Sequence, residues 1–231
     1  MPKIRHMSYS RYLFFKADTE WRRLSGLEKD RAKAQFAAVL EEHTDRMLIN
    51  SYNLVGTRGD SDFLLWQISS SITDLSDLAS RLRSTWLGQY LETPYSYLAM
   101  ARPSPYVETH KHSDQTNRPA LIEPRGDDYL FVYPFVKTND WYQLPKESRQ
   151  QKMNEHFTIG HRYPSVKVHT TYSFGIDDQE FVLGFESNDP EDFLRLVMEL
   201  RESKARPYTL VDTPIFTCVR SSFNECLDSL G

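Results

Sequence analysis

Cysteine is scarce in this chain. Only Cys218 and Cys226 occur in 231 residues, and their spacing is that of neither a zinc site nor a redox motif. A reduced, cytoplasmic setting is therefore the expectation. Long apolar runs are missing too, and none approaches the roughly 20 residues that cross a bilayer. The opening "MPKIRHMSYSRYLFF" has no apolar segment with a small-residue cleavage site, so it does not read as a signal peptide. Basic charge is not in excess. With 28 Lys and Arg against 32 Asp and Glu, and a net charge of −4, nonspecific nucleic-acid binding is not expected. G-x-S-x-G, a P-loop, a dinucleotide fingerprint and H-E-x-x-H are all absent. These absences argue against a membrane span, a nucleic-acid partner and the commonest hydrolase and nucleotide-binding chemistries.

What the chain does have is aromatic residues, 13% of the total, and an internal repeat. "GTRGDSDFLLWQISSSITDLSDLASRLRSTWLGQYLETPYSYLAMAR", starting at Gly56, aligns with "GIDDQEFVLGFESNDPEDFLRLVMELRESKARPYTLVDTPIFTCVR", starting at Gly175. Phe63 matches Phe181, Arg83 matches Arg201, Tyr90 matches Tyr208 and Arg102 matches Arg220, all at one offset. Upstream, "WRRLSGLEKDR" resembles "WYQLPKESR", and "YSRYLFFK" resembles "YLFVYPFVK".

Each half reads strand, helix, strand, strand, helix, strand. The period-two runs "YLFVYPFVK", "SVKVHTTYSFG" and "EFVLGFES" are strands. A helix is expected over about residues 146–157 behind Pro145, and another behind the Asp189 cap and Pro190. That order is the ferredoxin-like split motif. The expected fold is α+β: two ferredoxin-like repeats forming a dimeric α+β barrel, with antiparallel sheets and helices outside. The expected boundaries are residues 1–106 for an N-terminal repeat without cofactor, 107–127 for a linker, and 128–231 for a C-terminal repeat that binds one.

Duplication supplies an internal control. Positions alike in both halves are architecture, and positions that change chemistry are candidates for function. Fifteen residues after Trp21 stands Phe36, and fifteen after Trp141 stands His156. His156 reads either as a satisfied core histidine or as a metal or haem ligand, and its helix face also carries Arg149 and Met153. The strand at Tyr129 puts Tyr133 and Lys137 on one face, about 13 Å apart. They read as polar ends of an edge strand, or as two groups spanning a porphyrin and pairing its acids. His169 faces either solvent or a pocket opposite His156.

The run "YPFVK", "WYQLPKESR", "MNEHF", "GHRYP", "SFGIDDQEF", "DFLRLVMELR" and "TPIFTC" resembles the chlorite dismutase family, which includes the coproheme decarboxylases. The resemblance implies a homopentamer with haem b or iron-coproporphyrin in the C-terminal half. His156 would be the iron ligand, Tyr133 the radical carrier, and Lys137 a group near the reacting propionates. Arg118 would contact a propionate and Trp141 would lie close to the porphyrin. The implied reactions are peroxide-dependent oxidative decarboxylation of coproheme or, as an alternative, conversion of chlorite to chloride and dioxygen; a third reading is haem binding without turnover. Counting from His156, the distal position that holds arginine or glutamine in the family falls on His169, an acid–base candidate for hydrogen peroxide. Where the family often places an acid on the proximal histidine, the register gives Lys204, with Glu202 nearby.

Overall fold

The structure, a computed structural model, describes residues 9–106 and 122–231. The N-terminal half runs β1 (Tyr9–Ala17), α1 (Gly26–His43), β2 (Leu48–Asn53), β3 (Phe63–Ser69), α2 (Ile72–Arg83), the short β4 (Leu91–Glu92) and β5 (Ser96–Met100). The C-terminal half repeats the pattern with β6 (Tyr129–Lys137), a one-turn α3 (Asn139–Gln143), α4 (Lys146–Gly160), β7 (Lys167–Tyr172), β8 (Phe181–Ser187), α5 (Pro190–Glu202), the short β9 (Thr209–Val211) and β10 (Phe216–Arg220). A last helix, α6 (Phe223–Asp228), follows.

All strand pairs are antiparallel. Each half has the ferredoxin-like order, β5-β1-β3-β2 and β7-β8-β6-β10. The halves join through β10–β2 and β5–β7, which closes the sheet into a barrel. Closure removes the unpaired edges that a single repeat would expose. It also gives the strands under the helices of the N-terminal half two covered faces. Every residue of β3, FLLWQIS, is buried, because one side meets the lumen and the other meets the helices.

Local sequence sets the helix ends. Ser25 and Glu28 form a reciprocal capping box on α1. Asp189 caps α5, with Pro190 in its first turn. Gly56 (φ 92°) and Gly175 (φ 73°) occupy matching turns in a left-handed conformation that a side chain would oppose.

Three apolar clusters result. One fills the lumen with Tyr12, Phe14, Trp66, Leu130, Val132 and Phe216. A second lies under α1 and α2 and includes Leu13, Phe15, Trp21 and Phe36. The third lies under α5 and includes Phe131, Tyr133, Phe185 and Phe193. Helix α6 sits at the end of the C-terminal repeat by chain position. Its Cys226 and Leu227 nevertheless pack into the N-terminal cluster, and Trp21 Nε1 donates to Leu230 O at 3.1 Å.

The lumen also holds a hydrogen-bonded histidine–glutamate pair. His169 Nε2 donates to Glu186 Oε2 at 2.6 Å, and the imidazole lies edge-on to Trp66, with centroids 5.1 Å apart. Glu186 further accepts from Arg125 N (2.8 Å) and Gly126 N (2.7 Å), which pins the chain where it re-enters the second repeat. Burial opposes the Glu186 charge, but these hydrogen bonds outweigh it and lower its pKa from the usual 4.5. A depressed carboxyl pKa gives stability that is present above the unfolded value and lost as pH falls through the folded one. Glu186→Gln is therefore expected to cost about 2 kcal/mol at pH 7, as a charge-assisted bond becomes a neutral one. Its denaturation midpoint should then vary less with pH below about 4.5 than that of the parent chain. A parallel acid limb in both proteins would contradict this.

Candidate active site

The barrel superimposes the two repeats in register. Phe15 pairs with Phe63 and Phe135 with Phe181, so β6 follows β1 at an offset of 120 positions. Helices α1 and α4 begin at Gly26 and Lys146, with the same offset. The counterpart of Lys137 is therefore Ala17. Leu13 answers to Tyr133, Trp21 to Trp141 and Phe36 to His156.

The α1 layer is filled mostly with hydrocarbon, His43 at the end of the helix being the exception. Ala32, Phe36, Ala37, Leu40 and His43 are buried on that helix, and Phe36 has no exposed surface. On α4 only Ile159 is buried, whereas Arg149, Met153 and His156 are half-buried. Helix α4 therefore does not fill the layer against its sheet, and the polar replacements all face that underpacked layer.

Tyr133 projects from β6 beside Phe185, with rings stacked at 5.7 Å. Burial, then the Asp212 carboxylate, raises its phenol pKa, so the O–H stays protonated. Asp212 is itself held by Arg201 (2.5 Å) and Arg206 (2.6 Å), a cluster that the sequence reading missed. Two residue pairs further along the same face, Lys137 Nζ lies 4.5 Å from the Trp141 ring centroid and 5.0 Å from that of Phe135. Among the described residues it has no salt-bridge partner. Burial lowers its pKa to about 8 against the raising effect of Glu180, so the ammonium form predominates at neutral pH.

His156 is brought to the same place. Burial, then the nearby Lys137 charge, lowers its pKa to about 4, which leaves a neutral imidazole at pH 7. No hydrogen bond to its ring occurs among the described residues. Lys204 and Glu202 are exposed, and the Lys204 amide donates instead to Glu155 at 3.0 Å. Among the described residues no acid hydrogen-bonds the imidazole.

His169 is not in this group. It shares β7 with Val168 and Thr170, but the strand alternation turns it into the lumen, where Glu186 holds it. Val168 and Thr170, which flank it on β7, face the helix side, and both are exposed. Neither the solvent-facing reading nor the pocket-facing one holds, because counting from His156 fixed a residue number but not a face. Glu186, an acid inside an otherwise apolar strand, was the available signal that something buried must pair with it. Arg118 lies outside the described residues.

The donor set suits an iron porphyrin with acid side chains. A neutral imidazole offers a lone pair, an unpaired ammonium offers a carboxylate partner, and the buried Arg149 Nε has no acceptor. The segment leading out of β5 borders the same place. Tyr106 O accepts from Gln150 Nε2 at 2.9 Å, and the Tyr106 ring lies 6.3 Å from Trp141.

A closed barrel of two ferredoxin-like repeats, with Tyr133, Lys137 and His156 in one where the other carries Leu13, Ala17 and Phe36, is the architecture of a class of enzyme. Comparison with known proteins identifies that class. The family model for chlorite dismutase matches residues 29–221, and the chain belongs to the chlorite dismutase family. It is 31% identical over 211 residues to the coproheme decarboxylase of Mycolicibacterium smegmatis, covering 88% of each chain. It is 30% identical over 219 residues to that of Staphylococcus carnosus, covering 86% of each. A mutant chlorite dismutase from Candidatus Nitrospira defluvii superimposes with a TM-score of 0.87 at 26% identity, over 96% of this chain and 94% of that one. No helix among the described residues is long and apolar enough to cross a membrane.

Proposed function

We propose that the chain is a coproheme decarboxylase, converting iron-coproporphyrin to haem b with hydrogen peroxide. The observation that carries this reading is the contrast between the two repeats. The layer that Leu13, Ala17 and Phe36 fill in one half carries Tyr133, Lys137 and His156 in the other. Similarity to two proteins named coproheme decarboxylases over most of their length supports the choice of substrate.

In this reading the α4 imidazole of His156 holds the iron. The Lys137 ammonium and the Arg149 guanidinium orient ring carboxylates, and Trp141 packs beside Lys137. The bound iron porphyrin supplies oxidation by peroxide. Tyr133, buried and protonated, would give up its phenolic hydrogen atom when peroxide oxidises the bound group, and as the radical would take a hydrogen atom back from a C–H bond of the propionate, which then loses carbon dioxide. Each turnover takes one propionate, one hydrogen peroxide and one proton to a vinyl group, carbon dioxide and two waters. Chlorite decomposition is less well supported, because the helix-side residues of β7, Val168 and Thr170, offer no fixed cation to retain an oxidised chlorine species. We further place the enzyme in a reducing compartment, with Cys218 and Cys226 free and buried. We also place it in a homopentamer, for which the exposed Leu194 (58%) and Met198 (62%) on α5 offer apolar surface.

The test is to add iron-coproporphyrin and peroxide and follow product mass. Stepwise appearance of monovinyl and divinyl products is expected. Oxygen evolution from chlorite without any vinyl product would reverse the choice.

A further inference from the structure

The acid nearest Lys137 is not bound to its ammonium. Glu180 Oε2 accepts from the Lys137 backbone N–H at 2.7 Å and from the Tyr142 hydroxyl at 2.6 Å. The N-terminal repeat shows what this acid does without the tyrosine. Asp62 occupies the same place and accepts from the Ala17 backbone N–H at 2.8 Å. Its other oxygen binds a lysine ammonium, Lys16 Nζ, at 2.7 Å. At the position matching Tyr142 that repeat has Arg22, which is exposed.

The acid and the backbone donor are thus common to both halves, and the side-chain donor to the acid is not: an ammonium in one, a neutral hydroxyl in the other. In the C-terminal half Val136 replaces Lys16 and the lysine moves to the next residue, on the helix side of the strand. Glutamate reaches one methylene further than aspartate, and Lys137 is anchored by its own N–H to that same carboxylate. Its flexible stem could fold back onto the acid, which already acts on the ammonium through space.

We propose that Tyr142 is a positioning residue that fixes the Glu180 carboxylate through Oε2, out of ion-pair reach of the Lys137 ammonium, and so keeps that ammonium free for a carboxylate of the ligand. The tyrosine acts through Lys137 and reaches no reacting atom itself. Arg149 and Arg206 are the other charged groups that bear on this corner. Both are cations, so neither competes with Glu180 for the lysine. Without the hydroxyl, Glu180 takes the nearest donor, and the pair becomes the counterpart of Lys16–Asp62.

The identity of the ligand rests on the function proposed above, but the placement of Lys137 does not, so two measurements separate them. In a crystal structure of ligand-free Tyr142→Phe, Lys137 Nζ should lie within ion-pair distance of Glu180, having left the Trp141 ring. In binding titrations, Tyr142→Phe should weaken iron-coproporphyrin about tenfold, the loss of one charge-assisted contact. It should leave the tetramethyl ester unaffected, and Tyr142→Phe/Glu180→Gln should restore the parent affinity for the free acid. A purely structural tyrosine would weaken acid and ester alike and would not be rescued by the second change. Lys137 still resting on Trp141 in the Tyr142→Phe crystal overturns the inference whatever the ligand. Absence of iron-coproporphyrin binding by the parent chain overturns the function and leaves the crystal measurement to decide the inference.

Discussion

His156→Ala should remove the histidine-ligated spectrum of a bound ferric porphyrin and weaken its binding by at least about 100-fold. Changing groups that merely support a ligand already costs tens- to a hundred-fold at metal sites. The imidazole is suited to this role because it stays neutral. Burial and the neighbouring Lys137 charge lower its pKa to about 4, so no proton competes for the lone pair at pH 7. No acid hydrogen-bonds to the ring among the described residues, so an iron bond made here would be less electron-rich than one backed by a carboxylate. Titration of ferric coproporphyrin, read in the Soret band, is the measurement. Added imidazole should restore the parent spectrum in the alanine variant, since it can enter the space left. An unaltered spectrum in His156→Ala would place the iron elsewhere.

Tyr133→Phe should leave porphyrin affinity within about threefold of the parent and lower the rate of vinyl formation by about 1,000-fold or more. That pattern marks a group that acts only in the chemical step. The substitution keeps the ring against Phe185 and removes only the hydroxyl. The phenol has no hydrogen-bond partner among the described residues, so its loss leaves no orphaned group and stability should change by less than about 1 kcal/mol. Product mass after a fixed exposure to peroxide separates the cases. Undiminished vinyl product would show that Tyr133 is packing rather than chemistry.

Both expectations use the sister repeat as a reference. Phe36, fully enclosed, shows what the α1 layer looks like when it is built only to be stable. Burying such a ring contributes roughly 1.5–3 kcal/mol, and the C-terminal half forgoes that gain where it places His156. Trp21 and Trp141 are retained in both halves, which marks the indole as architecture first. Its neighbours differ: Lys29 Nζ lies 5.9 Å from the Trp21 centroid, whereas Lys137 takes the Trp141 face at 4.5 Å.

Much of this was legible from the linear chain. Two ordered series of matching residues gave the duplication, period-two runs gave the strands, and Asp189 with Pro190 gave the start of α5. The exchange of Phe36 for His156 marked the candidate ligand. Helix α4 runs three residues beyond the expected Phe157, to Gly160, since nothing in "FTIG" breaks a helix before its end.

Sequence by itself determined the repeats, their element order and which side chains differ between them, because those are properties of position and periodicity along the chain. Only the tertiary structure decided which face each of those side chains takes. It turned His169 into the lumen against Glu186. It also packed α6 onto the opposite repeat and put Tyr142 on Glu180. The reason is that a strand reverses its side chains with every residue, so a register error of one position exchanges core for pocket. That register is fixed only when the two repeats pair and the barrel closes.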